Sequence, residues 1–292
     1  MRLVYHVGLH STDEDRALQC LLRNAARLQN EGTIISPPGQ FRPVLREAML
    51  HLRGVPASRE IQAQILASVT NAKSANRLVF SSDSFLCVPK RAITGGTLYP
   101  LAAERAPWIR NLFPDDPAEF LFAVRNPATL IPALQARFHQ EEGFAQYLAR
   151  ILPESLSWTD MVVRFRDAVP DCPVTVWCNE DTPLIWYDVL EALCGSEEAR
   201  SFDGVHDFYR SIMTAEGVAQ LETAIQKMPP DASATRKDTV ATHLAAHAVQ
   251  EAVEVEYDLP GWTAERIARL SERYEADIAE LKELDGVRVL SP

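Results

Sequence analysis

Apolar residues along this chain gather in short runs that are apolar on both faces, and segments carrying a single apolar stripe separate them. The runs are Leu3–Gly8 (LVYHVG), Thr33–Ser36, Arg77–Ser82 (RLVFSS), Glu119–Val124 (EFLFAV) and Pro173–Cys178 (PVTVWC). Runs this short, with helical segments between them, predict strands of a mostly parallel sheet covered on both sides. A helix is expected from about Glu14 to Asn30, where Leu18, Leu21, Leu22, Ala25 and Leu28 form one stripe. Two more are expected near Phe41–Leu52 and Ser58–Asn71. In the second, Ser58 is placed to cap and Ile61, Ile65 and Val69 face inward.

From about Ser196 onward the pattern predicts no further core strand. Helices are expected near Val205–Lys227, Lys237–Glu254 and Thr263–Leu284. The last has Thr263 as its cap and Ile267, Leu270, Tyr274, Ile278 and Leu281 on one face. No repeat or low-complexity segment interrupts the chain. The expected fold is therefore a three-layer α/β domain spanning 1–292, with 196–284 a mainly helical elaboration at its C-terminal end.

Composition narrows the class. With 29 Lys+Arg against 40 Asp+Glu, the net charge is −11, so no basic footprint for nucleic acid or anionic lipid exists at the whole-chain level. Eleven acidic and four basic residues lie between Glu251 and Asp285, which reads as a solvated helical face. Glycine is scarce, 12 of 292, about 4% against a typical ~7%. Five cysteines (Cys20, Cys87, Cys172, Cys178, Cys194) without CxxC spacing suggest buried thiols in a reducing compartment rather than disulfides or a zinc site. The apolar run Leu3–Leu9 is too short for a signal peptide's core, and no run approaches a membrane span. A cytoplasmic protein without membrane or nucleic-acid partners is expected.

In parallel α/β sheets ligands sit beyond the carboxyl ends of the strands. That directs attention to Gly8–Asp15, Ser81–Asp83, Arg125–Pro127 and Asn179–Asp181. The first of these turns, His6-Val7-Gly8-Leu9-His10-Ser11-Thr12-Asp13-Glu14-Asp15, joins a strand to a helix, where backbone N–H groups and the helix dipole favour an anion. Here the chain resembles the bacterial sulfotransferase-like branch of the P-loop fold, which opens on a strand reading roughly H-I-G-x-H-K-T-G-T-T. His6, Val7, Gly8, His10 and Thr12 fall on matching positions. Asn30–Pro37, Val79-Phe80-Ser81-Ser82-Asp83, Phe122-Ala123-Val124-Arg125-Asn126-Pro127 and the ending Gly286–Leu290 are similar to later segments of that family.

The resemblance implies P-loop-type organisation and transfer of a sulfuryl group from 3′-phosphoadenylyl sulfate to a hydroxyl or amine of a small molecule or glycan. It implies that Gly8, Leu9, Ser11 and Thr12 cradle this donor and that Arg125 holds its 3′-phosphate. His10 or Asp83 would then deprotonate the acceptor, and no metal is called for. The chain departs from the pattern at the turn itself. Ser11 stands at the family's lysine, Asp13 at its glycine, and Glu14 and Asp15 at its hydroxyl pair. Ala133 replaces a serine eight residues after the arginine.

Each candidate has a structural alternative. Thr12 or Asp13 caps the first helix and fills its anion site; Arg125 pairs with a carboxylate; His10 bonds to backbone; Asp83 caps or pairs with Arg125. His243, His247 and Glu251 share a helix face at zinc-ligand spacing, but Leu244 stands where a hydrolase needs glutamate, and a polar face is the simpler reading. Trp177, Trp186 and Tyr187 read as core. Gly95-Gly96 marks a loop to which Lys90 and Arg91 give either an anion-binding or lid role or a solvated turn. Two functions follow: sulfuryl transfer with a degenerate donor site, or non-catalytic binding or scaffolding on the same fold.

Overall fold

The computed structural model describes residues 1–12, 14–71, 75–229, 232–253 and 257–292. In chain order the first half runs β1 (Arg2–Val7), α1 (Arg16–Arg23), α2 (Ala25–Asn30), β2 (Thr33–Ile35), α3 (Pro38–Leu52), α4 (Arg59–Val69), β3 (Arg77–Ser82), β4 (Ile93–Thr94), β5 (Thr97–Leu98), α5 (Ala102–Arg110), β6 (Ala118–Val124) and α6 (Pro127–Phe138). The second half runs α7 (Phe144–Ile151), α8 (Trp158–Ala168), β7 (Val174–Cys178), α9 (Thr182–Cys194), α10 (Asp207–Arg210), α11 (Ala215–Gln226), α12 (Ser233–His247), α13 (Gln250–Val253), α14 (Ala264–Lys282) and β8 (Val287–Leu290).

Six strands form one sheet in the order β2-β3-β1-β6-β7-β8, and every pairing is parallel. The all-parallel sheet is what two-sided burial of the strand runs implies. Side chains alternate across it. Leu3, Tyr5 and Val7 of β1 join Phe41, Phe120 and Phe165 on one face, while Val4 joins Leu18, Val79 and Trp177 on the other. Helices α3–α8 and α14 cover the first face, and α1, α2 and α9–α12 cover the second. β4 and β5 form a separate antiparallel hairpin that turns on Gly95 and Gly96, both at positive φ as a two-residue turn of this hand demands.

The structure corrects the reading of the C-terminal segment. Val287–Leu290 is a sixth strand of the main sheet, paired in register from Val174↔Val287 to Trp177↔Leu290. Only Leu290 of its four residues is buried, and Arg288 is exposed, so this is a short edge strand blunted by a charge rather than an apolar run. Preceding it, α14 is tied into the body: the buried Asp277 carboxylate accepts from Ser157 Oγ at 2.9 Å and Trp158 N at 2.6 Å, at the start of α8.

The first helix is also shorter than expected. It begins at Arg16 and breaks at Asn24, whose side-chain amide donates to Asp203 O while its side-chain oxygen accepts from Asp203 N. The span expected as Val205–Lys227 divides into α10 and α11, the latter capped by Thr214. That expected as Lys237–Glu254 divides into α12 and α13, and Glu254 lies outside the described residues. Ser58 and Thr263 cap their helices through Ile61 N and Arg266 N.

A buried ion network fixes α12 to α9. Arg236, 4% exposed, sits 2.9 Å from Asp188 and 3.4 Å from Glu191 and lies over the Tyr187 ring, and Lys237 reaches Asp188 at 2.9 Å. Burial outweighs the attraction of Arg236 and pushes the Glu191 carboxyl up to about 7. The folded protein therefore holds a proton there that the unfolded chain releases near its ordinary value of 4.5, and stability falls as pH rises between these values. Glu191→Gln should flatten that slope, so the variant's Tm should gain on the wild type from pH 5 to pH 8 in calorimetric scans. A constant difference across this range would contradict the assignment.

Candidate functional site

Strand β1 lies between β3 and β6 at the centre of the sheet, and the chain runs first to one side of it and then to the other. The carboxyl end of β1 is therefore the switch point at which such sheets bind ligands. Three of the turns singled out in the sequence meet there. The turn after β1 takes Arg125, at the end of β6, as a donor: Arg125 Nη1 bonds Ser11 O at 2.5 Å, while its Nε bonds Thr129 Oγ1 at 2.9 Å. Asp83, just past β3, joins Gly8, Leu9 and Ser11 around a small cavity of about 100 Å³.

Thr12 is not the helix cap the sequence suggested. Ser11, Glu14 and Asp15 all have positive φ, at 60°, 55° and 65°. Each such residue costs roughly 1–2 kcal/mol without a glycine. Thr12 Oγ1 donates back to Leu9 O, and Asp15, at the N-cap of α1, makes no side-chain cap bond; Asp13, the other cap the sequence offered, lies outside the described residues. The carboxylates turn outward to arginines on the flanking helices, Glu14 to Arg137 of α6 and Asp15 to Arg42 of α3, the second pair at 2.7 Å. Gly8 needs no special backbone: its N–H donates to Ser82 O, and an added Cβ would meet Asp83 N at an ordinary 3.5 Å.

His10 is buried beneath the turn at 1% exposure and lines neither this cavity nor the larger cleft beside it. Its backbone N–H donates to Tyr99 Oη at 2.8 Å, and its ring stacks parallel on Tyr99 with Nδ1 3.2 Å from that oxygen. Burial lowers its pKa, against the pull of Asp83, so the ring is neutral near pH 7. The Nε2 of His10 and the Oγ of Ser11 are buried with no hydrogen-bond partner among the described residues. His6, the other histidine of this region, is wholly buried, stacked on Trp177 and bonded to Ser81 Oγ; burial pushes its pKa down to about 4. Asp83 is exposed and bonds Ser84 Oγ, not Arg125.

A cleft of about 380 Å³ opens on the β6 side of the turn. Arg16 and Arg125 line it, and neither has an ion-pair partner among the described residues; Arg16 lies 5.7 Å over the Phe208 ring. Apolar wall comes from Trp177, Trp186 and Phe208, of which the two tryptophans are core, as expected. Thr182, first residue of α9, brings a buried hydroxyl without a partner. Glu180 also lines the cleft, accepting from Asn126 N at 2.9 Å at the start of α6 and from Tyr274 Oη at 2.9 Å. It supplies the protein's own anion to the start of α6.

The remaining candidates resolve simply. Among the described residues, no group of three or more His, Cys, Asp or Glu side chains is placed to hold a metal ion. His243 faces Thr239 O and His247 faces Gln220 Oε1. All five cysteines are buried and none forms a disulfide. No helix among the described residues is long and apolar enough to cross a membrane.

No family model matches the chain, and no curated protein matches it. Among solved structures it is similar to a sulfotransferase from Alicyclobacillus acidocaldarius, at 14% identity over 89% of this chain and 97% of that one, with a TM-score of 0.38.

The residues of the turn do not fit the sulfuryl end of 3′-phosphoadenylyl sulfate. No lysine is present, and the small cavity is lined by Glu14, Asp15 and Asp83 against Arg137. At an effective dielectric of ~20, one carboxylate 4 Å from a phosphate charge costs about 4 kcal/mol before screening. The exposed ion pairs that turn Glu14 and Asp15 outward are each worth only about 0–1 kcal/mol. Repulsion of this size, rather than the strength of the pairs, would oppose a polyanion at the turn.

Ser11 combines a left-handed backbone with an orphaned buried hydroxyl, and both are costs. Ser11→Gly removes them together and should raise stability by about 1–2 kcal/mol in urea unfolding. Destabilisation would show that the hydroxyl is bonded in solution.

Proposed function

We propose that this chain is a sulfotransferase-like nucleotide-binding protein that has kept a cleft for the adenosine phosphate part of the donor and lost the turn that transfers the sulfuryl group. The observation that carries this reading is the pair of arginines with no carboxylate partner among the described residues, Arg16 and Arg125, in a cleft with an aromatic wall at the switch point. Guanidinium groups of this kind suit phosphates, and an aromatic and apolar wall suits a base. Arg125 would meet the 3′-phosphate by redirecting the nitrogen now on Ser11 O. Arg16, with the N-terminal end of α9 and Thr182, would meet the second phosphate. Bound there, the nucleotide would serve recognition, with an acceptor no longer required.

A second reading keeps the transfer chemistry. It is favoured by the orphaned Ser11 Oγ and His10 Nε2, which lack the partners that a purely structural turn supplies. In it Asp83, exposed beside the turn, is better placed than buried His10 to deprotonate a hydroxyl or amine of a small molecule or glycan.

Calorimetry with 3′-phosphoadenosine 5′-phosphate tests the proposal. Saturable binding is expected, weakened at least about tenfold in Arg125→Ala, since a charge-assisted contact is worth about 1.5–3 kcal/mol. No binding at millimolar nucleotide would sink it. Sulfuryl release from 3′-phosphoadenylyl sulfate that is abolished in Asp83→Asn would instead establish the second reading.

A further inference from the structure

A second cleft, of about 590 Å³, opens on the β3 side of β1. Three elements bring arginines to it: Arg42 and Arg46 one turn apart on α3, Arg91 in the turn Pro89–Arg91, and Arg105 on α5. One carboxylate, Asp83, lines it with them. In a chain of net charge −11 this is a local reversal of sign.

Their existing partners do not account for this positive charge. Arg42 is paired with Asp15 at 2.7 Å. Arg105 stacks 3.9 Å over Trp108 and lies 3.8 Å from Glu104, but its Nε is buried with no hydrogen-bond partner. Arg46 and Arg91 are exposed and have no ion-pair partner among the described residues, whereas neighbouring Lys90 is paired with Glu141.

The lining is also apolar. Leu50 and Val88 stand 46% and 56% exposed, and Met49, Phe85 and Leu86 form buried wall behind them. Together they make an apolar patch bordering guanidiniums that have no ion-pair partner among the described residues. A strongly hydrated polyanion would leave that apolar wall bare, and the surrounding acidic surface would repel it.

We propose that this cleft binds a small amphiphilic anion. Its apolar body lies along Leu50, Val88 and Met49, and its phosphate, sulfate or carboxylate head lies among Arg46, Arg91 and Arg105. The site shares no arginine with the nucleotide cleft and stands whether or not that cleft binds nucleotide.

The test is calorimetry on the full chain with decyl phosphate and decanoate below their micelle concentrations, with decanol and inorganic phosphate as controls. Decyl phosphate should bind saturably. Arg46→Ala/Arg91→Ala, which removes two exposed side chains without ion pairs, should weaken it at least about tenfold. Arg59→Ala, at an exposed site on α4, should leave it unchanged. Equal response to decyl phosphate and decanoate would identify the head as any single anion, and preference for decyl phosphate would identify a phosphate ester. Retained binding in the double variant, no saturable binding by 1 mM, or inorganic phosphate or decanol binding as tightly as decyl phosphate would each overturn the proposal. Titrating 3′-phosphoadenosine 5′-phosphate into the same double variant keeps the two sites apart: its affinity should equal the wild type's, whatever that value is.

Discussion

Strand β1 is hydrogen-bonded along both edges, to β3 and to β6. The chain leaving it must therefore rise between the ends of its two neighbours, where every backbone polar group needs a partner and every charge is felt from both sides. In a phosphate-binding protein an anion meets those demands. Here arginines do: Arg125 takes the carbonyl of Ser11, Arg42 takes Asp15, and Arg137 takes Glu14. Because the two carboxylate pairs are a third to a half exposed, they stabilise the turn weakly, and Arg125 ties it through the carbonyl of buried Ser11. The three left-handed residues are held by this arrangement without the help of glycine.

The sheet was legible because both faces of it are buried. Four of the five expected strands coincide with the observed ones to within one residue at each end, and Arg77–Ser82 coincides fully. Val287–Leu290 escaped because an edge strand with an exposed arginine has no continuous apolar signal. Helix caps with a hydroxyl at the right place, Ser58 and Thr263, were readable. The break at Asn24 was not, since it depends on Asp203, far along the chain.

The candidate site was legible in position and only partly in roles. The ends of β1, β3 and β6 meet because the strand order brings them together, and the arginine after β6 does reach the turn. Glu14 and Asp15 were placed in the first helical turn because acidic residues before an apolar stripe read that way. The backbone instead goes left-handed and aims them at Arg137 and Arg42. Those two arginines lie 123 and 27 residues further along, so local pattern had no means of pairing them. Arg16 and Arg46 were passed over because an exposed arginine on a helix is ordinary. What marks them is the lack of an ion-pair partner among the described residues, which only the folded arrangement reveals.

Net charge is thus a poor guide to the ligands of this protein. Most of the excess of carboxylates belongs to surfaces, while arginines with no ion-pair partner among the described residues line the two clefts that flank the first strand. Arg42 ties the two flanks together, since it lines the β3-side cleft and binds the carboxylate of Asp15 in the turn. An anion drawing on Arg42 from the cleft would take it from Asp15. By reciprocity, anything that draws Asp15 away from Arg42 would strengthen Arg42's hold on that anion. With both side chains about one third exposed, the coupling stays at the scale of a surface pair, about 1 kcal/mol or less. That is enough to bias occupancy several-fold and too little to lock either site, so each cleft answers mainly to its own arginines.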